Sequence, residues 1–111
     1  MSQAPEPPFA IEETRREGTT VLVLHGELDL AYADELSARL AALRDRGEPV
    51  ILDLDRLDFI DSSGLRVLLQ AVEDSRARDW RFAVTKGSEA VGRLLRGAGL
   101  EGRLPTVDGL G

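Results

Sequence analysis

Short apolar segments alternate along the chain with longer segments in which apolar residues recur every three or four positions. Residues 19–24, 50–54 and 80–84 have the length and apolar content of buried strands. The helical spacing is followed by Ala33, Leu36, Leu40 and Leu43, by Leu65, Leu68, Leu69 and Val72, and by Val91, Leu94, Leu95 and Ala98. Strands that alternate with helices of this length predict βα units, right-handed crossovers and a largely parallel sheet. The pattern therefore predicts a single α/β domain.

The two ends of the chain depart from this alternation. Residues 1–8 are rich in proline and predict a flexible tail, so the domain is expected to span residues 9–111. A strand that starts near Phe9 and a Glu-Gly turn precede the strand at residues 19–24, which predicts an antiparallel hairpin. A last short strand is expected near residues 104–107.

Composition and charge exclude several classes of protein. A length of 111 residues with 42% apolar content fits one globular domain, and no apolar run approaches the ~20 residues that span a membrane. The formal charge of −6 opposes nucleic-acid binding, because the 14 Lys and Arg residues are spread among 20 carboxylates without a basic patch. The sequence has no cysteine for a disulfide or a thiolate metal site, and its start lacks the features of a signal peptide. We therefore expect a cytoplasmic protein with no nucleic-acid partner and no membrane association.

Two serines stand where an apolar strand gives way to an amphipathic helix. Ser62 and Ser63 follow Asp61 and precede Gly64, at or just before the helix N-terminus. The first turn of a helix has backbone N–H groups without partners and roughly half a positive charge, so a serine there can cap the helix or hold a phosphate. Neither serine has the Glu or Gln three positions later that a capping box requires. A structural cap and a phosphate site remain alternatives on local grounds.

Three motifs in order relate the chain to a known family. They are HGELD at residues 25–29, VILDL through FIDSSGL at residues 50–65, and a helix with its glycine exit at residues 90–100. In these motifs, over most of its length, the chain resembles the anti-sigma factor antagonists of the STAS domain family. The resemblance implies a STAS-like domain whose four- or five-stranded, mostly parallel sheet has an antiparallel N-terminal strand and carries its helices mainly on one face.

The resemblance also implies a function. In that family the first serine after the aspartate is the phosphoacceptor, which falls on Ser62, and the partner is an anti-sigma factor serine kinase that supplies ATP and magnesium. The unphosphorylated protein would bind the kinase and release a sigma factor, phosphorylation would end this binding, and a phosphoserine phosphatase is a further expected partner. The domain itself is expected to be no enzyme and to hold no cofactor or metal. The expected partner-binding residues are Glu27, Leu28, Asp29, Asp61, Ser62, Ser63, Gly64 and Arg66.

The main alternative is a constitutive adaptor of the same fold, in a transporter or signalling assembly without a sigma factor. Enzyme interpretations find less support. Residues 97–102 match GxGxxG, but the motif follows a helix instead of linking a strand to a helix. His25 is the only histidine, and no G-x-S-x-G elbow accompanies it. Four acidic residues precede or adjoin the serines: Asp53, Asp55, Asp58 and Asp61. They lack the loop of a calcium site, and we expect them to form a solvated acidic rim that adds negative charge to the serine site.

The end of the chain raises one further expectation. Members of the family usually continue past the last strand into another helix, whereas this sequence ends at Gly111. Leu104, Val107 and Leu110 are therefore expected to be less covered than in relatives. An exposed apolar patch there would support a weak homodimer or a partner that replaces the helix.

Overall fold

Six strands and three helices alternate along residues 8–107, the part of the chain that the computed structural model describes. In chain order they are β1 (Phe9–Arg16), β2 (Thr19–Leu28), α1 (Leu30–Asp45), β3 (Val50–Asp53), β4 (Leu57–Ile60), α2 (Ser62–Ala77), β5 (Phe82–Thr85), α3 (Glu89–Gly97) and β6 (Thr106–Val107). The tail expected at the N-terminus lies outside the described residues except for Pro8. The carbonyl oxygen of Pro8 accepts a hydrogen bond from Glu27 N at 2.8 Å.

The sheet is built around β2. β1 pairs with one edge of β2 in antiparallel fashion, and β3 and then β4 pair with the other edge in parallel. β5 and β6 continue the sheet beyond β3, both parallel to their neighbours. The predicted fold class is confirmed, with six strands in place of the four or five expected. β4 is a strand that the sequence pattern did not reveal, because Leu57 and Ile60 are buried while the two residues between them are exposed.

The hairpin between β1 and β2 has the two-residue turn that the sequence predicted. Glu17 and Gly18 have φ angles of 52° and 81°. Positive φ at both central positions is typical of type I′ turns, whose twist matches that of the flanking strands. The turn therefore fixes the register in which Arg16 pairs with Thr19 and Phe9 with Gly26.

The helices cover one face of the sheet. Alternate side chains of β2 and β3, Leu22, Leu24 and Leu52, are fully buried against them, whereas the opposite face carries half-buried residues such as Val23 and Ile51. The helical spacing read from the sequence corresponds to the buried face of α1, formed by Ala33, Leu36, Leu40 and Leu43. Within residues 8–107 no helix is both long enough and apolar enough to cross a membrane.

The C-terminal ends of α1 and α2 are joined by a network of ion pairs. Arg44 contacts Asp74 at 2.7 Å and Asp45 at 3.0 Å, and Arg78 contacts Asp45 at 2.8 Å. Hydrogen bonds from Arg78 and then Arg44 lower the pKa of Asp45 below its usual value. The network lies at the opposite ends of the two helices from their N-termini, so it ties the helices together without touching the serine region.

The apolar patch expected near the C-terminus is not found in the form predicted. Leu104 is buried in the core, and Val107 is half-buried. Leu110 lies outside the described residues. Because Leu104 packs inside the domain, it cannot contribute to an exposed patch. The homodimer expected through this patch stays a prediction.

Candidate functional site

Two parallel strands end together and each leads directly into a helix. Glu27 of β2 is paired with Phe59 of β4, and Leu28 with Ile60. The backbone N–H of Asp61 donates to the carbonyl oxygen of Leu28 at 3.1 Å, which holds the two chains side by side as they leave the sheet. α1 and α2 begin two residues after this last pair of strand residues. Their N-termini therefore lie next to each other at one edge of the sheet.

An aspartate caps each of these helices. Asp29 accepts a hydrogen bond through Oδ1 from Ala31 N at 3.0 Å at the start of α1. Asp61 accepts through Oδ1 from Ser63 N at 2.8 Å and from Gly64 N at 3.1 Å at the start of α2. A side-chain oxygen at this position satisfies N–H groups that have no partner within the helix. The cap of α2 is therefore Asp61, and neither serine is needed for it.

Ser62 is the first residue of α2 and is exposed, while Ser63 is half-buried. In the described part of the chain, the structure gives neither serine hydroxyl a hydrogen-bond partner. The local sequence left open whether a serine caps the helix or holds a phosphate, and in the structure the cap is Asp61. The Ser62 side chain is exposed at the start of α2.

Two of the residues predicted to bind a partner are interior. Leu28 is fully buried, and Gly64 is buried against the strands beneath α2. A Cβ atom at position 64 would lie 2.7 Å from Cγ1 of Ile60 and 2.8 Å from Cγ of Leu28, distances that real Cβ atoms essentially never show. Neither residue offers an exposed side chain, and the prediction that Leu28 and Gly64 contact a partner stays a prediction. They set how closely the start of α2 approaches the sheet.

The other predicted residues share one surface. Glu27 and Arg66 are exposed, and the caps Asp29 and Asp61 are half-buried beside the exposed Ser62. Arg66 follows Ser62 by one turn of α2, the spacing at which two helical side chains can interact. The structure thus brings five of the predicted residues, with Ser63 beside them, to the edge where β2 and β4 end.

The sequence interpretation missed two large apolar residues on this edge. Leu30 is 76% exposed and Phe59 is 39% exposed. The exposure of Phe59 follows from β4, in which neighbouring residues point to opposite faces and Ile60 faces the core, and the sequence pattern did not reveal that strand. The signal for Leu30 was its place directly after Asp29, which puts it in the unpacked first turn of α1.

Part of the predicted acidic rim has a structural role. The Thr85 hydroxyl donates to Asp55 Oδ1 at 2.8 Å and Gly87 N donates to the same oxygen at 3.1 Å. Asp53 Oδ1 accepts from Asp55 N at 2.9 Å. These bonds hold the turns that follow β3 and β5, whereas Asp58 is exposed beside Phe59. Among residues 8–107 no group of three or more His, Cys, Asp or Glu is arranged to hold a metal ion.

The histidine lies away from the serines. His25 Nε2 is 3.1 Å from Glu12 Oε1, in a pair formed by β2 and β1 on the exposed surface of the hairpin. The residues of the GxGxxG match likewise form the exit of α3, where Gly99 and Gly102 have φ angles of 73° and 84°. The glycines of this match therefore have a conformational explanation.

Comparison with known proteins assigns the chain to a family. Residues 10–110 match the family model of the STAS domain. The chain belongs to the STAS domain family, as its motifs indicated. The anti-sigma F factor antagonist of Paenibacillus polymyxa is 33% identical to it over 100 residues, which cover 88% of this chain and 86% of that protein. BtrV of Bordetella bronchiseptica is 46% identical over 61 residues, so the match spans 54% of this chain and 53% of BtrV.

Solved structures of an anti-sigma factor antagonist, SpoIIAA, have the same fold. The unphosphorylated form has a TM-score of 0.74 and 26% identity, with 90% of this chain and 88% of that chain covered. The phosphorylated form, from Bacillus, has a TM-score of 0.69 and 25% identity, with coverage of 90% and 91%.

Proposed function

We propose that this chain is an anti-sigma factor antagonist controlled by phosphorylation of Ser62. In its unphosphorylated form it binds an anti-sigma factor that is a serine kinase, and the kinase releases its sigma factor. The observation that carries the proposal is the exposed hydroxyl of Ser62, directly after the capping Asp61, on the edge where two strands end. The names of the relatives and the two solved forms of SpoIIAA support it.

The domain contributes one reacting atom to the phosphorylation. Oγ of Ser62 would attack the γ-phosphorus of the ATP held by the kinase; the O–P bond forms, the bond to ADP breaks, and the serine proton passes to a base of the kinase. ATP and magnesium are the kinase's own. This chain holds the hydroxyl in place, because Ser62 lies on a helix whose start is fixed by Asp61 and packed through Gly64.

A phosphate on Ser62 would receive little help from the helix N-terminus. The backbone N–H groups of Ser63 and Gly64 already donate to Asp61. The phosphate would also lie beside the carboxylates of Asp61 and Asp29, with Arg66 as the nearby cation. A phosphoserine carries about −1.5 to −2 charges, and burying it in an interface costs desolvation and like-charge repulsion. A binding loss of roughly 3 kcal/mol, about a hundredfold in affinity, is the expected result.

The proposal is tested with purified anti-sigma serine kinases of the source organism, Mg-ATP and the wild-type chain. Mass mapping should place the phosphate on Ser62, and Ser62→Ala should abolish its incorporation. Calorimetric titration of the kinase should then give an affinity about a hundredfold lower for the phosphorylated protein. Ser62→Ala should bind normally and escape regulation, and Ser62→Asp should lose part of the affinity.

Each part of the proposal has an outcome that contradicts it. Phosphate on Ser63 of the wild type, or undiminished incorporation into Ser62→Ala, would show that the acceptor is misassigned. Binding of the phosphorylated and unmodified proteins within twofold of each other would remove the switch. The constitutive adaptor would then be the better interpretation of this STAS domain. A phosphoserine phosphatase is proposed as a partner only together with the switch, because the phosphatase would act on phosphorylated Ser62.

A further inference from the structure

We propose that the outer edge of β1 is an interface at which two copies of this chain pair in antiparallel fashion, about a two-fold axis at Thr14. Within residues 8–107, β1 pairs with β2 alone, and its other edge is not paired with a strand in this part of the chain. The strand has 8 residues, and an edge of this length can accept a further strand. The proposal goes beyond the phosphorylation switch and does not depend on it.

One hydrogen bond shows which residues of β1 turn their backbone groups toward the free edge. Thr20 of β2 donates its N–H away from β1, to the carbonyl oxygen of Pro49 beside β3 at 2.9 Å. The partner of Thr20 on β1 is Arg15, so the two residues form a pair without hydrogen bonds between them. Bonded and non-bonded pairs alternate along an antiparallel ladder. The N–H and C=O groups of Glu13 and Arg15 therefore point to the free edge.

The side chains of this edge carry charges in an order that suits pairing with a second copy. Glu12 and Glu13 precede Thr14, and Arg15 and Arg16 follow it. All of these residues are exposed. A two-fold axis at Thr14 places Glu13 opposite Arg15 of the second copy, and Glu12 opposite Arg16 of the second copy. Each charge of the segment then faces an opposite charge, and Thr14 faces its own counterpart.

Backbone geometry permits this register. Two opposite residues exchange hydrogen bonds when the backbone groups of both point across the edge, which holds for Glu13 and Arg15. Thr14 lies opposite its counterpart in the non-bonded position, where side chains come closest. The neighbouring permitted registers are shifted by two residues, and they place Glu13 opposite Glu13 or Arg15 opposite Arg15. Like charges directly opposite are destabilising, so charge selects the register centred on Thr14 against these two.

The faces of the sheet agree with this pairing. Glu13 contacts Arg39 of α1 at 3.2 Å, so Glu13 lies on the helix-covered face. Its neighbour Glu12 lies on the opposite, open face, because successive residues of a strand alternate. Residues directly opposite each other in paired strands share a face, so Arg15 of the second copy approaches Glu13 on the helix side. Arg16 of the second copy likewise approaches Glu12 on the open side.

Charged residues on an edge strand usually protect a sheet against pairing. Such protection requires charges that repel an approaching copy, as a run of one sign does. The order in β1 is two acids, a neutral residue and two bases, which attracts an antiparallel copy in the register centred on Thr14. The same charges repel that copy in the two neighbouring registers. Charge complementarity therefore identifies a second copy of this chain as the occupant of the edge.

The interface leaves the serine site open. Thr14 pairs with Val21 of β2, and the serine region begins where β2 ends at Leu28. That distance along the strand is roughly 23 Å. Because the two copies run in opposite directions across the axis, their serine edges lie at opposite ends of the joined sheet. Each copy can therefore bind its own partner while the two remain paired.

Sedimentation tests the dimer and its charges. The wild type should change from monomer to dimer between about 10 μM and about 1 mM, as expected for a small interface, and salt should weaken the dimer by screening. Glu12→Arg with Glu13→Arg makes the edge basic, and Arg15→Glu with Arg16→Glu makes it acidic. Each double variant alone should pair about a hundredfold more weakly than the wild type. An equimolar mixture of the two should form a heterodimer, because each edge then meets its opposite.

A matched control separates edge charge from net charge. Glu73→Arg with Glu101→Arg changes the net charge as much as the basic edge variant does, at exposed positions outside β1. It should dimerise like the wild type. Thermal unfolding of each variant shows whether the fold is kept.

Amide hydrogen exchange of the wild type reports on the register without any substitution. The N–H groups of Glu13 and Arg15 should gain protection as the protein concentration rises, because they bond to the second copy only in the dimer. Those of Glu12 and Thr14 already point to β2 and should not change. This measurement decides the proposal even if an edge variant folds poorly.

Three results would overturn the proposal. The first is a wild type that stays monomeric at about 1 mM. The second is a dimer that both edge variants keep, which would assign the contact to another surface. The third is protection of Glu13 and Arg15 that is independent of concentration in a monomer, which would show that another segment of the same chain covers the edge. None of these results bears on the phosphorylation of Ser62, which is tested separately.

Discussion

Asp61 has two roles that substitution can separate, because its carboxylate both caps α2 and lies beside Ser62. Asp61→Ala removes the oxygen that accepts from Ser63 N at 2.8 Å and from Gly64 N at 3.1 Å. Asp61→Asn keeps an oxygen in the same place and removes only the negative charge. Both variants therefore lose the negative charge, but only Asp61→Asn keeps a side-chain oxygen that can cap α2.

The structure sets the expected size of each effect. Loss of the cap costs about 1 kcal/mol, and loss of a negative charge at a helix N-terminus costs about 0.3–1 kcal/mol. Asp61→Asn should thus be more stable than Asp61→Ala by about 1 kcal/mol, which corresponds to about 4–8 °C in melting temperature for a domain of this size. Two charges 4 Å apart interact by about 1 kcal/mol in water and by about 4 kcal/mol at the lower effective dielectric near a protein surface. The repulsion between the phosphate and Asp61 therefore grows on binding, and removing the Asp61 charge should reduce the affinity lost on phosphorylation by at least about fivefold.

Thermal unfolding of both variants checks the first expectation. Titration of the kinase with phosphorylated and unphosphorylated Asp61→Asn checks the second, and the ratio of the two affinities is compared with that of the wild type, so that any direct effect on binding cancels. Equal melting temperatures for the Ala and Asn variants would refute Asp61 as the cap. If this affinity ratio equals that of the wild type, the Asp61 charge does not contribute to the loss of affinity on phosphorylation.

Three further changes test the surroundings of the site. Gly64→Ala forces a Cβ to within 2.7–2.9 Å of buried side chains and should cost about 1–3 kcal/mol in chemical denaturation, whereas Gly97→Ala, with nothing within 4 Å, should not destabilise the domain. Arg66→Ala should leave kinase binding almost unchanged and destabilise only the Ser62-phosphorylated form, by up to about 1 kcal/mol, which equal melting shifts of the two forms would disprove. The lowered pKa of Asp45 gives stability that is present above the unfolded value of 3.8 and lost as pH falls through the folded pKa, so acid titration of stability should bring wild type and Asp45→Asn together at low pH.

The sequence by itself determined the three helices, most of the strands and where the serine site begins. Apolar spacing predicted three helices and most of the strands, and the Glu17-Gly18 turn predicted the antiparallel hairpin. These features are local, since backbone preference and the pattern of apolar residues act over a few positions. The position of Ser62 at a helix start was predicted for the same reason.

Only the tertiary structure decided which residues of the site reach the surface. β4 is a strand because its backbone pairs with the end of β2, although its own pattern of two buried and two exposed residues predicts no strand. That pairing buries Leu28 beneath Gly64 and leaves Leu30 and Phe59 exposed at the edge that presents the serine. Burial and exposure at this edge depend on which distant segments lie side by side, and local spacing carries no information about that pairing.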